Sequence, residues 1–198
     1  MHYGTVILAS WAAFLLVWAI TAFGVKRDVR GAGSTSVWTS AWPVRLIVAL
    51  LLVTALLRPG ARARRAPTVF SGRSLVFVPS AALGWIAASV VVVGICFAIW
   101  ARLTLGKNWS PRPSMKEQHE LVTSGPYAYV RHPIYTGMLL AVFGSALTGS
   151  IFAIAVAVAA SVVFLSRIPR EERIMLRLFP DAYPPYQART KRLIPLVW

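Results

Sequence analysis

The chain has 198 residues, of which 57% are hydrophobic and 14% are charged, and it carries 21 Lys and Arg residues against 6 Asp and Glu residues. So much apolar sequence in so short a chain cannot all be buried in one soluble core, which excludes an ordinary soluble domain and predicts an integral membrane protein. The formal charge of +15 could suggest nucleic-acid binding. The arginines instead cluster at the ends of apolar runs, where they suit anionic headgroups, so nucleic acid is not expected as a partner.

Uncharged blocks of sequence predict the membrane segments, and they are Tyr3–Val25, Leu46–Leu57, Ser74–Ala101 and Pro133–Ser166. The first is long enough to span and lacks a basic stretch before it, so it predicts a retained helix and not a cleaved signal. The second is short and counts as a span with Arg45 snorkelling from its end. The fourth is too long for one helix at about 1.5 Å per residue, and the turn sequence Thr148–Ser150 predicts a tight helical hairpin over 133–166. The expected fold is an all-α integral membrane protein with about five transmembrane helices.

Lys and Arg residues set the expected orientation, because cytoplasmic connections of membrane proteins carry an excess of them. A cytoplasmic C-terminus places 16 of the 21 inside, in residues 26–45, 102–131 and 167–198, and leaves five outside between Arg58 and Arg73. The prediction is an integral membrane location, in the inner membrane if the chain is bacterial, with a cytoplasmic C-terminus. A re-entrant second segment is the alternative that would explain the basic outer residues.

Residues 102–132 are rich in Gly, Pro, Ser and aromatic residues and are predicted to fold over the inner ends of the helices. The last segment begins as a continuation of the fifth helix, where Arg167 and Glu171 are four residues apart and share a face. Two cytoplasmic pieces are therefore expected to meet at one membrane edge. From spacing alone, the pair also fits a simple ion pair at a helix end, and the tyrosines of residues 127–135 also fit an interfacial aromatic belt.

Four stretches of the C-terminal half carry a recognisable pattern. They are "GKNWS", "HELVTSGPYAYVRHPIYTG", "RxxxEE" followed by "LFPDAYPPY", and "RLIP", and they extend roughly from Leu105 to Pro195. Together they resemble the isoprenylcysteine carboxyl methyltransferase family with its bacterial and archaeal members, which are membrane enzymes that use S-adenosylmethionine. The RHPxYxG piece also occurs in related membrane reductases, and its combination with the later Arg and paired Glu residues makes the match specific.

The uncharged blocks place three N-terminal spans in residues 1–101, which match the family only in hydropathy. The resemblance implies a methyltransferase region in 102–198, made of a cofactor segment, the hairpin and a cytoplasmic helix and tail. The cofactor region would be formed by the 102–132 connection together with that helix and tail. The implied methyl donor is S-adenosylmethionine, with S-adenosylhomocysteine as product and no metal. The implied acceptor is a lipophilic small molecule or prenylated cysteine that enters from the membrane lipids.

The resemblance also implies roles for individual residues. Arg167 would bind the substrate, and the catalytic residues would be Arg167, Glu171, Arg131 and His132. The implied cofactor-binding residues are His119, Glu120, Leu121, Val122, Tyr127, His132, Pro133, Ile134, Tyr135 and Glu171. Glu172 matches none of these positions, and a neutral substitution there is expected to cost little cofactor affinity.

The chemistry of methyl transfer suits these residue types. A sulfonium methyl donor is attacked in line, so the protein chiefly holds donor and acceptor together and excludes water. A carboxylate acceptor is already ionised near neutral pH and needs only a cation, which Arg167 supplies with a forked set of donors. Glu171 suits the ammonium group of the donor, aromatic and apolar walls suit its adenine, and His132 can supply a hydrogen bond.

Other functions are compatible with the same residues. An amine acceptor, as in a phospholipid N-methyltransferase, would have to lose a proton, and a base such as His132 would then matter more. An NADPH-dependent membrane reductase would want more cations around its pocket, which Glu171 fits poorly. A non-enzymatic membrane protein would keep the fold without chemistry. The lone Cys96 and the histidines at positions 2, 119 and 132 give no metal-ligand spacing.

Overall fold

The structure, a computed structural model, describes residues 2–22, 80–106, 120–148 and 151–195. Its α-helices are α1 (Tyr3–Ala22), α2 (Ala81–Leu105), α3 (Pro133–Ala146), α4 (Ile151–Leu178) and α5 (Tyr183–Arg189). A 3₁₀ helix covers Gly125–Ala128. No described residue belongs to a β-strand, so the all-α fold is confirmed for this part of the chain.

Three of the described helices are long and apolar enough to cross a membrane, namely α1 over Tyr3–Thr21, α2 over Ala81–Leu105 and α4 over Ala153–Leu178. Helix α3 is apolar but has 14 residues, about 21 Å of helix against a hydrocarbon layer of roughly 30 Å. The predicted break at Thr148–Ser150 falls between α3 and α4. The predicted second span, Leu46–Leu57, lies outside the described residues, so the count of five transmembrane helices stays a prediction.

Helices α2 and α3 pack so closely that their backbones meet at two glycines. A Cβ atom added to Gly94 would lie 2.6 Å from the backbone N of Ala141, and one added to Gly137 would lie 2.6 Å from the backbone N of Ala98. Each added atom would also lie 2.6 Å from the carbonyl oxygen of the opposite glycine. Lipid is as apolar as a side chain, so close contact between small residues is a main source of helix association in membranes. The two helices run antiparallel, because Gly144 of α3 faces Val91 of α2.

Helix α1 runs parallel to α2. The ring of Tyr3 lies over Gly84 near the start of α2, and Arg102 near its end donates from Nη2 to the carbonyl of Thr21 at 2.6 Å. Arg102 is 1% exposed and also donates from Nη1 to the carbonyl of Gly106 at 3.0 Å. Carbonyls in the last turn of a helix have no partner within the helix, and a guanidinium satisfies them while complementing the helix dipole. Arg102 thus joins the ends of α1 and α2.

The ends of α1, α2 and α4 and the beginning of α3 lie at one end of the bundle, which we call the basic end. All Lys and Arg residues in the described part of the chain lie at or beyond it, and they are Arg102, Arg131, Arg167, Arg170, Arg173, Arg177, Arg189, Lys191 and Arg192. The core between the helices is apolar apart from Ser145, which accepts a 3.2 Å hydrogen bond from Trp11 Nε1. The functional candidates therefore gather where the apolar helices finish.

We expect Gly94→Val to destabilise the protein by about 1–3 kcal/mol, because overpacking forces apart backbones that are already in contact. Thermal unfolding of the purified protein in detergent measures the effect. The control is Ser89→Val, which places the same branched side chain on the exposed face of the same helix and should unfold close to wild type. Equal behaviour of the two variants would show that the α2–α3 contact is not needed for stability.

Candidate active site

Backbone pairing fixes the two residues that precede α3. Val130 and Lys191 form an isolated parallel bridge, the N–H of Arg131 donates to the carbonyl of Lys191 at 2.8 Å, and the N–H of His132 donates to the carbonyl of Arg192 at 3.0 Å. The C-terminal tail is thereby laid along the segment that enters the membrane. The backbone of Arg131 and His132 is therefore held by the tail, which fixes the points from which their side chains extend.

Arg131 connects three parts of the chain. Its Nε donates to Oε1 of Glu172 in α4 at 2.8 Å, and its Nη1 donates to the carbonyl of Gln187 in α5 at 3.0 Å and to the carbonyl of Thr190. Its side chain is 8% exposed. These donors are directed into the protein, so Arg131 joins the segment before α3 to α4 and to the tail.

Ion pairs and short contacts join six residues that we call the charged cluster, namely Arg131, His132, Arg167, Glu171, Glu172 and Arg192. Glu172 is its buried centre. It is 3% exposed, and its carboxylate pairs with Arg131 and with Nη2 of Arg192 at 3.1 Å. Gln187 Nε2 lies 3.5 Å from Oε2 and His132 Nε2 lies 3.5 Å from Oε1. A buried carboxylate needs such partners, because removing one charge of a buried pair leaves the other uncompensated. Glu172, to which the resemblance gives no cofactor role, therefore has a structural one: it fixes the tail and the segment before α3 to α4.

Glu171, one residue earlier, points into a different environment. Its side chain is 21% exposed, and its Oε1 accepts a 2.5 Å hydrogen bond from the Tyr135 hydroxyl and lies 3.6 Å from Arg167 Nε. Its Oε2 lies 3.7 Å from His132 Nδ1. The Tyr135 ring is stacked between His132 at 5.7 Å and Phe164 at 4.6 Å, measured between ring centroids. Glu171 is thus a partly exposed acid held in place by an aromatic stack.

Three tyrosines fasten the tail beneath this cluster. The Tyr186 hydroxyl donates to the carbonyl of Tyr127 at 2.8 Å, and Tyr183 packs edge-on against Tyr186. Burial raises the pKa of Tyr186 to about 12 and raises the pKa of Tyr127 and Tyr183 still further above the usual value. All three hydroxyls therefore stay neutral in the physiological range. Pro184 and Pro185 stand in the first turn of α5, where a missing N–H costs no helix hydrogen bond.

The structure brings together five of the residues to which the resemblance gives a role. These are Arg131, His132, Tyr135, Arg167 and Glu171. Pro133 is buried at the start of α3, and Ile134 packs against the core. Tyr127 is held by the tail, while Glu120 is exposed and Leu121 and Val122 are half-buried in the segment before the 3₁₀ helix. His119 lies outside the described residues, and those residues contain no group of three candidate metal ligands.

Sequence reasoning missed the partners that the tail supplies. Gln187, Thr190 and Arg192 reach Arg131 or Glu172, although they are up to 59 residues away along the chain. Adjacent side chains on a helix point about 100° apart, so the two carboxylates of the "EE" pair face different directions. The second acid was therefore the available signal for a contact inside the protein.

The family model described as "Isoprenylcysteine carboxyl methyltransferase (ICMT) family" matches residues 85–177, from α2 to the end of the charged part of α4. A solved structure of the eukaryotic intramembrane Ras methyltransferase ICMT, without a monobody, matches with a TM-score of 0.51 and 30% identity, over 59% of this chain and 46% of that one. The family match includes every member of the charged cluster except Arg192.

Curated relatives match a similar share of the chain. Protein-S-isoprenylcysteine O-methyltransferase B of Arabidopsis thaliana is 31% identical over 62% of this chain and 66% of its own length. Protein-S-isoprenylcysteine O-methyltransferase of Mus musculus is 30% identical over 57% and 42%. The nickel-cobalt-cadmium resistance protein NccN of Alcaligenes xylosoxydans xylosoxydans is 33% identical over 56% and 52%. The chain thus spans between about two fifths and two thirds of the length of these relatives.

We expect Glu172→Gln to destabilise the protein strongly, an effect separate from the small loss of cofactor affinity expected from the sequence. Breaking a buried ion pair costs about 3–5 kcal/mol, and the lower part of that range applies because Arg192 is 35% exposed and partly screened. Thermal unfolding and tryptic cleavage of the tail at Arg189 and Lys191 measure the loss.

The matched control is Asp181→Asn, which removes one exposed carboxylate from the turn after α4. It should leave both the unfolding temperature and the cleavage rate near wild type. A Glu172→Gln protein as stable and as protease-resistant as the Asp181→Asn protein would contradict the structural role of Glu172.

Proposed function

The chain belongs to the isoprenylcysteine carboxyl methyltransferase family, and from this premise we propose that it is an S-adenosylmethionine-dependent methyltransferase of the membrane. We propose as its acceptor the carboxylate of a lipophilic, isoprenylcysteine-like molecule that enters from the bilayer. The observation that carries this proposal is the pair formed by Arg167 and Glu171, a cation and an acid 3.6 Å apart at the end of an apolar helix. A negatively charged acceptor requires a cation, and a positively charged donor requires an acid.

The residues around Glu171 fit S-adenosylmethionine, which supplies an electrophilic methyl group on a sulfonium when bound. Oε1 of Glu171 is engaged by Tyr135 at 2.5 Å, whereas Oε2 has His132 Nδ1 at 3.7 Å, beyond hydrogen-bond distance. A carboxylate accepts several hydrogen bonds, so Oε2 can receive the ammonium of the methionine portion.

Arg167 fits the acceptor. Its side chain is 16% exposed and lies one turn past Val163 and Phe164, where α4 leaves its apolar stretch. A lipophilic molecule with a terminal carboxylate would lie with its chain along that stretch and its charge at Arg167. The planar guanidinium can hold both carboxylate oxygens at once and so fix the attacking atom.

A carboxylate acceptor is favoured over an amine because the candidate base is enclosed. Both ring nitrogens of His132 face carboxylates, Glu171 on one side and Glu172 on the other, and its side chain is 11% exposed. An amine acceptor would have to deliver its proton to a base that it can reach. A carboxylate has no proton to lose at neutral pH, so His132 can act as a positioning residue for both acids.

We also propose that the site faces the cytoplasm. The described Lys and Arg residues all lie at the basic end, and positive residues are enriched on the cytoplasmic side of membrane proteins.

S-adenosylhomocysteine should raise the unfolding temperature of the purified protein, because a ligand that binds only the folded state stabilises it. NADPH should not, because Glu171 supplies an acid where a dinucleotide phosphate would require a cation. Glu171→Gln should weaken S-adenosylhomocysteine binding by about 10–100-fold, the cost of losing one hydrogen bond to a charged group. The Asp181→Asn control should bind like wild type. Stabilisation by NADPH instead of S-adenosylhomocysteine would overturn the proposed activity.

Arg167→Lys should lower methyl transfer to a farnesylated cysteine analogue sharply while binding of S-adenosylhomocysteine stays near wild type, because lysine keeps the charge and loses the two-point hold. The measurement is transfer of labelled methyl in nanodiscs, run beside a lipid amine. Arg189→Lys, an exposed exchange of the same kind in α5, is the control. Wild-type turnover of the carboxylate by both Arg167→Lys and Arg167→Ala would exclude the carboxylate-holding role.

A further inference from the structure

The arginines at the end of α4 fall into two groups. Arg167 pairs with Glu171, whereas Arg170, Arg173 and Arg177 are exposed and form no ion pair with any acidic residue in the described ranges. Arg173 donates from Nε to the carbonyl of Pro169 at 3.2 Å, which leaves its other nitrogens available. These three arginines, the α4 arginine face, are not used by the proposed active site.

The three positions lie on one side of the helix. At 100° per residue, spacings of three and four residues place Arg170, Arg173 and Arg177 within an arc of about 60°. The buried Glu172 lies on another side of α4, with its carboxylate directed towards Arg131 and Arg192. The α4 arginine face therefore points away from the protein interior.

The same side of α4 is exposed along the apolar part of the helix. Val162 is 62% exposed and Ser166 is exposed, and steps of four, four and three residues lead from Val162 through Ser166 and Arg170 to Arg173. No described element covers this side of α4, and we take it as the side that meets lipid chains. The arginines therefore follow directly where that lipid-facing side reaches the membrane surface.

The distances along the helix place the first of these arginines at the depth of the headgroups. Arg170 lies about 6 Å beyond Ser166 at 1.5 Å per residue, within a headgroup layer that is roughly 5–8 Å thick on each side of the hydrocarbon. Arg173 lies about 10 Å beyond Ser166, just outside that layer. Arg177 lies about another 6 Å out, still within roughly one Debye length of that layer. The favourable interaction of Arg177 with the helix C-terminus explains one of the three arginines and leaves two unexplained.

We propose that the α4 arginine face binds the phosphate groups of anionic phospholipids in the bilayer that surrounds the protein. Guanidinium groups hold phosphate oxygens through paired hydrogen bonds, and three of them on one lipid-facing side suit several neighbouring headgroups. Bound lipid would hold the end of α4, and with it the Arg167 and Glu171 side chains, at a fixed height relative to the membrane surface. This inference does not depend on the proposed methyl transfer.

The experiment compares the unfolding temperature of the full chain in micelles that contain phosphatidylglycerol or phosphatidylcholine at equal mole fraction. The variants are the triple Arg→Gln protein at positions 170, 173 and 177, the triple Arg→Lys protein, and a control with Arg189→Gln and Lys191→Gln in the tail. Wild type should unfold several degrees higher with phosphatidylglycerol, because a ligand of the folded state stabilises it. Added salt should reduce this difference.

The triple Gln protein should lose most of the difference between the two lipids. The triple Lys protein should lose part of it, because lysine keeps the charge but not the paired hydrogen bonds, and the tail control should keep it. In phosphatidylcholine the triple Gln protein should unfold near wild type, because the three side chains hold no ion pair with a described acid. If the Gln protein proves unstable, the test passes to the Lys protein, which must show a smaller lipid difference than wild type and the tail control. Overturning results are a lipid difference that the triple Gln or the triple Lys protein retains in full, no difference in wild type, or an equal shift with inorganic phosphate in place of the lipid.

Discussion

The carboxylate of Glu172 joins three separate pieces of this protein. It sits on α4, it receives Arg131 from the segment that leads into α3, and it receives Arg192 from the tail. Because it is 3% exposed, its charge depends on both guanidinium partners for compensation. The backbone pairing of the tail with Arg131 and His132, and the hydrogen bonds of Arg131 to α5, all lie around this ion pair. The relative positions of the candidate-site residues on α4 and before α3 depend on it.

A second constraint operates inside the membrane. Contact between Gly94 and Gly137 brings α2 and α3 to backbone distance, which determines where the first residues of α3 stand relative to the end of α2. Helix packing in lipid depends on such close approach, because burial of apolar side chains gains little there. The position of the charged cluster therefore depends on the uncharged contact between α2 and α3 deeper in the bundle.

The two adjacent acids have different roles in the site. Glu172 is enclosed and compensated, whereas Glu171 is partly exposed, with Tyr135 and Arg167 beside it. His132 lies between them, with one ring nitrogen towards each. A helix places consecutive side chains about 100° apart, so one short sequence supplies an anchor for the tail and, in the proposed function, an acid for a ligand. Bilayer, cofactor and acceptor would then meet along successive faces of a single helix, α4.

Features that depend on residues close together along the chain could be predicted from the sequence. Apolar run length predicted the described membrane helices, the turn at Thr148–Ser150 separated α3 from α4, and four-residue spacing put Arg167 beside Glu171, because each is a local property of helix geometry. Tertiary structure alone decided the partners of Glu172, which lie 41 and 20 residues away. It also decided that Arg131 faces inward, and that Gly94 meets Gly137. No local pattern encodes these contacts, since each requires segments distant in sequence to be brought together by the packing of the whole bundle.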